Sequence, residues 1–238
     1  MRRLNWFEKL IVVLFLFFDM TYVSAQKLPG DAALLLPGLQ TEIVTYWPEL
    51  TPQAFPALVI YQESKWKPKA TLKTSRELGC GLGQFTISYD KLGKPRFDAL
   101  TETKSLSRTL KAWDWKDCYD TQMQMRAVVL KLKVNDRNCS AYMSGNREIK
   151  ACAAAAYNGG AGSVTKRARL CRAVKGCKPD IWFDNLNTQC AASNVAVKGY
   201  GESFCMINSK YPGRVESGQY LFKSIWPKEP MLSEWPKK

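Results

Sequence analysis

The chain has 238 residues with 35 Lys and Arg against 21 Asp and Glu, no histidine and eight cysteines. That length fits one domain with an extension. The lack of His and of any Cys-x-x-Cys pair excludes common zinc spacings, and no metal or cofactor is expected. A formal charge of +14 draws the chain to anionic surfaces.

The first segment reads as an export leader over residues 1–25. Arg2, Arg3 and Lys9 make a basic start, Leu10 to Phe18 is an unbroken apolar run, and Val23-Ser24-Ala25 offers a cleavage site before Gln26. The run is shorter than the roughly 20 apolar residues a spanning helix needs; an uncleaved anchor is the competing reading. No cysteine precedes Cys80, so no lipid acceptor lies near the cleavage site. The expected product is exported, periplasmic or extracellular, and soluble. Export makes nucleic acid a poor partner for the charge and an anionic envelope surface a better one. The even cysteine count then suggests up to four disulfides among about 105 pairings. Cys171 and Cys177, around Gly176, form the easiest local pair, while plain buried thiols remain the alternative for some.

Residues 26–50 hold Pro29-Gly30, Pro37-Gly38 and Pro48 and read as a mostly irregular lead-in with one short helix near Leu39 to Tyr46. The main domain is expected from residue 51 to 238. Thr51-Pro52 resembles a helix N-cap with Pro following, and Pro56 could serve instead. The helix through Ala57-Leu58-Val59-Ile60-Tyr61-Gln62 is apolar on nearly every side, the mark of a buried helix, and should end before Pro68. Residues 71–84 read as a loop or short strands. Met125, Val128, Val129 and Leu132 recur at helical spacing behind Asp117 or Asp120. Glu148 to Tyr157 reads as an alanine-dominated helix closed by Asn158-Gly159-Gly160, and Ser163 as the cap of the next. No element is assigned across 176–205; a final helix is expected near Gly218 to Trp226. The densest basic stretch, Lys166 to Lys178, reads either as a solvated helix face or as a wall-binding surface.

Glu63 ends the buried helix. The plain reading is a surface glutamate, but a carboxylate in a last turn opposes the helix dipole, and burial raises its pKa. A raised carboxylic acid is what protonates the leaving oxygen in glycosidic cleavage. The segment Glu63-Ser64-Lys65-Trp66-Lys67-Pro68-Lys69-Ala70 is followed by Gly81-Leu82-Gly83-Gln84 and Ala155-Ala156-Tyr157-Asn158-Gly159. Together these resemble the signature of the lytic transglycosylases in their soluble catalytic-domain form, over about Pro56 to Gly162.

The resemblance implies a mainly α, lysozyme-like single domain of the goose-lysozyme type, here with disulfide-stapled loops. It implies a monomer acting on peptidoglycan glycan strands. It gives Glu63 the role of general acid and then general base, and gives Ser64, Gln84 and Asn158 sugar contacts. Tyr157 would lie near the acid. Gly83 stands where the family carries Met, which removes a side chain that would touch sugar. A weaker likeness covers Tyr211 to Val215, where the family has a late Tyr; Tyr211-Pro212-Gly213 reads equally as a turn. The implied reaction is non-hydrolytic cleavage of the N-acetylmuramic acid to N-acetylglucosamine β-1,4 bond. Asp90, Asp98 and Glu77 lie nearby, but nothing in the sequence selects a second carboxylate. The rival readings are a lysozyme-type hydrolase, a non-catalytic wall-binding assembly protein and a cationic envelope-disrupting protein.

Overall fold

A computed structural model describes residues 27–190, 195–197 and 201–231. The expected leader, residues 1–25, lies outside the described residues. Among the described residues no helix is long and apolar enough to cross a membrane. The fold is mainly helical with one small sheet, and four disulfides staple it.

The centre is α2 (Phe55–Ser64), whose residues Phe55 to Ile60 are all buried. Pro56, not Thr51-Pro52, occupies its first turn. A 20-residue helix, α4 (Thr121–Ser140), packs beside it and starts at Asp120, whose carboxylate accepts from Met123 N at 2.9 Å. Against α4 lies α5 (Asn146–Gly159), whose Ala151 to Ala156 are all buried. Side chains that small let backbones approach, and α5 also packs on α7 (Phe204–Ser217). Ser203 caps α7 by accepting from Met206 N at 3.2 Å.

Between α2 and α4 the chain forms an antiparallel meander of β1 (Thr71–Lys73), β2 (Glu77–Cys80), β3 (Phe85–Tyr89) and β4 (Pro95–Asp98), in that spatial order. Its registers include Thr71 opposite Cys80 and Leu78 opposite Ile87. The short α3 (Ala99–Lys104) follows, capped by Asp98. The cysteine bridges are Cys80–Cys118, Cys139–Cys152, Cys171–Cys177 and Cys190–Cys205, and no cysteine is free.

Four elements differ from the sequence reading. The lead-in is not mostly irregular, because α1 (Ala32–Tyr46) runs through Pro37-Gly38 as one helix. It buries Ala32, Leu36, Leu39 and Ile43 at helical spacing and packs on α4. Gly38 is where α4 comes closest: a Cβ there would sit 2.9 Å from Met125 Cε. Glu42, 3 % exposed, takes both of its oxygens to Arg126, at 2.9 and 3.0 Å, which closes the α1–α4 seam with a bidentate pair. Ser163 does not cap α6 (Ala161–Arg172); Gly160 precedes that helix with φ 77°, and the Ser163 hydroxyl donates back to the Gly160 carbonyl at 2.8 Å. Tyr211-Pro212-Gly213 is not a turn but lies inside α7, and the expected final helix shrinks to a 3-10 turn over Gln219–Phe222.

Both ends of the described chain reach α2. At its start, the Glu229 carboxylate accepts from Gln53 N at 2.5 Å and from Ala54 N at 3.2 Å. At its end, Asp31 N donates to Trp66 O at 3.1 Å, and a Cβ on Gly30 would lie 2.3 Å from Lys65 O.

Candidate active site

Glu63 sits in the last turn of α2, and the backbone just beyond it is strained. Lys65 and Trp66 both adopt the left-handed region, with φ 54° and 60°. That region is costly for side chains with a Cβ, and such strain collects at functional sites. Trp66 compensates by turning fully into the core, where its indole N–H donates to Ala57 O at 3.1 Å. The turn thereby ends the helix at once and leaves Glu63 at the edge of the core.

Part of Glu63 remains open, yet protein packs densely around the carboxyl, and its pKa is raised to about 7. Burial is the largest cause. Three groups pull the other way: the Tyr211 hydroxyl, which donates to Glu63 Oε1, and the Lys131 and Lys65 ammonium groups. Tyr211, 3 % exposed, comes from α7; burial and then the Glu63 charge hold its phenol in the protonated form. Sequence reasoning left it as a weak candidate because Pro212-Gly213 disguised the helix.

Lys131 was missed altogether. It is a single cation on α4 with no motif around it. Its Nζ lies 3.7 Å from Glu102 Oε2, 5.3 Å from the Tyr157 ring centroid and 6.0 Å from that of Phe97. Burial lowers its pKa, and Glu102 and Glu63 oppose that fall. Lys131 therefore lies within the electrostatic reach of both carboxylates.

The second sequence motif packs behind the acid. Tyr157, buried on α5, donates its hydroxyl to Gly83 O at 2.8 Å. Burial, then the Glu63 charge, raises the Tyr157 pKa well above its usual value. Gly83 is buried and has no room for a side chain: a Cβ would meet Phe85 at 2.6 Å, Val128 at 2.7 Å and the Tyr157 hydroxyl at 2.8 Å. The glycine standing for Met is thus part of a packed turn, and the space a longer side chain would need is already filled. Gln124 on α4, fully buried, holds the same turn. Its Oε1 accepts from Gly83 N at 2.9 Å, and its amide donates to Cys80 O at 3.0 Å and Cys118 O at 2.5 Å. One amide thus grips both segments joined by the Cys80–Cys118 bridge, and no motif announced it.

The remaining predicted contacts divide. Ser64 is 5 % exposed and donates its hydroxyl to Ile60 O at 3.1 Å, so it faces its own helix. Gln84, with φ 46°, spends its amide protons on Ala70 O at 3.1 Å and Gly81 O at 3.0 Å. It ties the segment after Glu63 to the glycine turn. Asn158 is exposed at the end of α5, and its Oδ1 accepts from buried Asn208 at 3.2 Å, which leaves its amide protons directed to solvent. The structure therefore brings Glu63, Tyr157, Tyr211 and Lys131 together, with Asn158 on the adjoining surface.

Two of the three acidic neighbours weighed from sequence, Asp98 and Asp90, are occupied elsewhere. Asp98 accepts from Leu100 N, Thr101 N and the Thr101 hydroxyl at the start of α3. Asp90 holds the β3–β4 turn through Leu92 N and Lys94 N. Among the described residues no second carboxylate enters the charges acting on Glu63, and no cluster of His, Cys, Asp and Glu could hold a metal. Chemically, the arrangement offers one protonatable carboxyl near neutrality, oriented by a phenol.

No family model matches the chain, and no curated protein matches it. Among solved structures it is similar to the 70 kDa soluble lytic transglycosylase from Escherichia coli, with a TM-score of 0.47 and 18 % identity. The match covers 84 % of this chain and 26 % of that one, so the chain spans well under half the length of that protein.

Proposed function

We propose that this chain cleaves peptidoglycan glycan strands as a lytic transglycosylase, at the bond between N-acetylmuramic acid and N-acetylglucosamine. The observation that carries the reading is Glu63: one carboxyl with a pKa of about 7, hydrogen-bonded by Tyr211, with no second carboxylate of the described residues among the charges that act on it. Protonated, Glu63 gives its proton to the leaving glycosidic oxygen. The carboxylate then formed takes a proton from the C6 hydroxyl of the muramic sugar, whose oxygen attacks C1. The bond to the leaving sugar breaks, a 1,6-anhydro ring closes, and Glu63 returns to its starting form. The N-acetyl group of the same sugar stabilises the cationic transition state, so no second carboxylate is required. Tyr211 keeps the Glu63 carboxylate oriented through both proton transfers, and Asn158 is the surface amide placed to meet substrate.

Digestion of purified peptidoglycan in heavy-oxygen water tests this. New muramic ends should be anhydro ends, lighter by one water and unlabelled. Reducing, labelled ends would mean hydrolysis. Glu102, which lies across Lys131 from Glu63, would then be the carboxylate to substitute next. The variant Glu63→Gln should keep the fold and lose more than nine-tenths of cleavage.

A further inference from the structure

Between residues 166 and 178 the chain carries six cations, and the fold sorts them into two groups. Arg167, 2 % exposed, turns inward: Nη1 donates to Leu186 O at 3.1 Å and Gln189 O at 2.6 Å, and Nη2 to Cys205 O at 2.8 Å. Lys166, Arg169, Arg172, Lys175 and Lys178 all face solvent. Among the described residues none of these five side chains makes an ion pair or hydrogen bond. Three of them recur along α6 at every third residue, so they line a single ridge about 9 Å long, and the other two continue it past the helix end.

The ridge is held rigid. The Cys171–Cys177 bridge closes the turn that carries Lys175, Arg167 bolts α6 to the chain after residue 185, and Lys178 N donates to Asn185 Oδ1 at 2.8 Å. Like charges three residues apart repel one another on a helix, and no acidic side chain among the described residues pairs with them. At the apex of the ridge Val174 is 48 % exposed and Ala173 is open beside it. The ridge combines an exposed apolar contact with five cations that make no ion pair among the described residues. That combination fits a flat anionic surface into which a small apolar residue can settle. None of the five is among the charges that act on Glu63.

We infer that this ridge is a second binding surface, and that it docks the protein on a bilayer of anionic phospholipid. The docking is independent of the catalytic reading and would hold for a chain with no activity. It is tested by flotation of the full protein with vesicles of phosphatidylglycerol in phosphatidylcholine, against phosphatidylcholine alone. Each cation near such a surface strengthens binding about fivefold. The variant K166Q/R169Q/R172Q/K175Q/K178Q should therefore lose on the order of a thousandfold or more, and K166Q/K175Q/K178Q about a hundredfold. A matched control, K73Q/K91Q/K94Q/R96Q/K111Q, removes five exposed cations from the sheet and its surroundings and should keep most of the affinity. Cleavage of short soluble glycan chains should be the same for the ridge variant and the native protein. Equal loss in the control would mean that net charge alone attracts the chain. Native binding to a soluble phosphate polymer but not to vesicles would assign the ridge to a wall polymer instead. Absence of native vesicle binding, or no grading between the two ridge variants, would also overturn the inference.

Discussion

Glu63→Gln makes a prediction about stability that does not depend on activity. The folded state raises the Glu63 carboxyl from 4.5 to about 7. A group whose charged form the fold disfavours costs stability wherever the unfolded chain ionises and the folded chain resists. Below the ordinary value both states are protonated and the cost is nil. It grows as pH rises from 4.5 to about 7, then stays constant. The plateau is worth about 3 kcal/mol at 1.36 kcal/mol for each tenfold change in proton affinity. Glutamine removes the charge and keeps an oxygen for Tyr211, and the partly open side chain trims the effect, so a gain of about 2–3 kcal/mol is expected above neutrality. In a domain of this size that is roughly 5–10 °C in Tm. Thermal unfolding of both proteins, disulfides intact, should show the variant ahead at about pH 8 and level with the native chain at about pH 4. Parallel Tm curves across that range would mean that Glu63 is solvated like a surface glutamate, and the burial argument would fall.

Tyr211→Phe removes a hydrogen bond that stabilises the Glu63 carboxylate. A bond to a charged group is worth about 1.5–3 kcal/mol, so the alkaline limb of kcat/KM should move to higher pH and the maximal rate should fall; an unmoved limb would separate Tyr211 from the acid. Lys131→Met should move the same limb in the same direction, because it deletes a charge that also favours the carboxylate. Because both groups are largely buried, that shift should change little with salt. Gly83→Met forces a side chain into contacts of 2.6 to 2.8 Å with Phe85, Val128 and Tyr157. It should cost about 1–3 kcal/mol by denaturant unfolding; full stability would mean that the turn opens freely. Glu229→Ala strips an acceptor from two N–H groups ahead of α2 and should lower Tm by roughly 2–4 °C.

The parts of this molecule visible in its sequence are those where a single local rule decides the outcome. The continuous apolar run before Glu63 could only be a buried helix, and the 3.6-residue recurrence from Met125 to Leu132 with Asp120 ahead of it could only be α4. Cys171 and Cys177 are too close in sequence to need tertiary knowledge, and they do pair. The largest failure came from tertiary packing overriding a local breaker. Pro37-Gly38 would end an isolated helix, yet α1 continues because its apolar ridge fits α4 and Gly38 makes room for Met125. In α7 the buried face includes Asn208 and Ser209 beside Tyr211 and Val215, so hydrophobic periodicity gave no signal. Within the candidate site, Glu63 was legible from its helix and motif. Lys131 and Gln124 were not, since a lone polar residue on a long helix acquires meaning only when another element arrives opposite it.

The grip of both chain ends on α2 sets how the protein can be handled and cut. Residues near 30 hold the exit of that helix and residue 229 holds its entry, so the two grips are separated by roughly one ten-residue helix, on the order of 15 Å. A fusion partner joined without a spacer to a chain cut back to residues 27–231 would pull directly on the segment bearing Glu63. A protease that nibbles back past Glu229 loosens the acid from a distance without touching the cleft. The same closeness means that, in a chain cut back to residues 27–231, a short flexible linker could close the chain into a ring, freeing new ends to be opened at an exposed tip such as the β3–β4 turn.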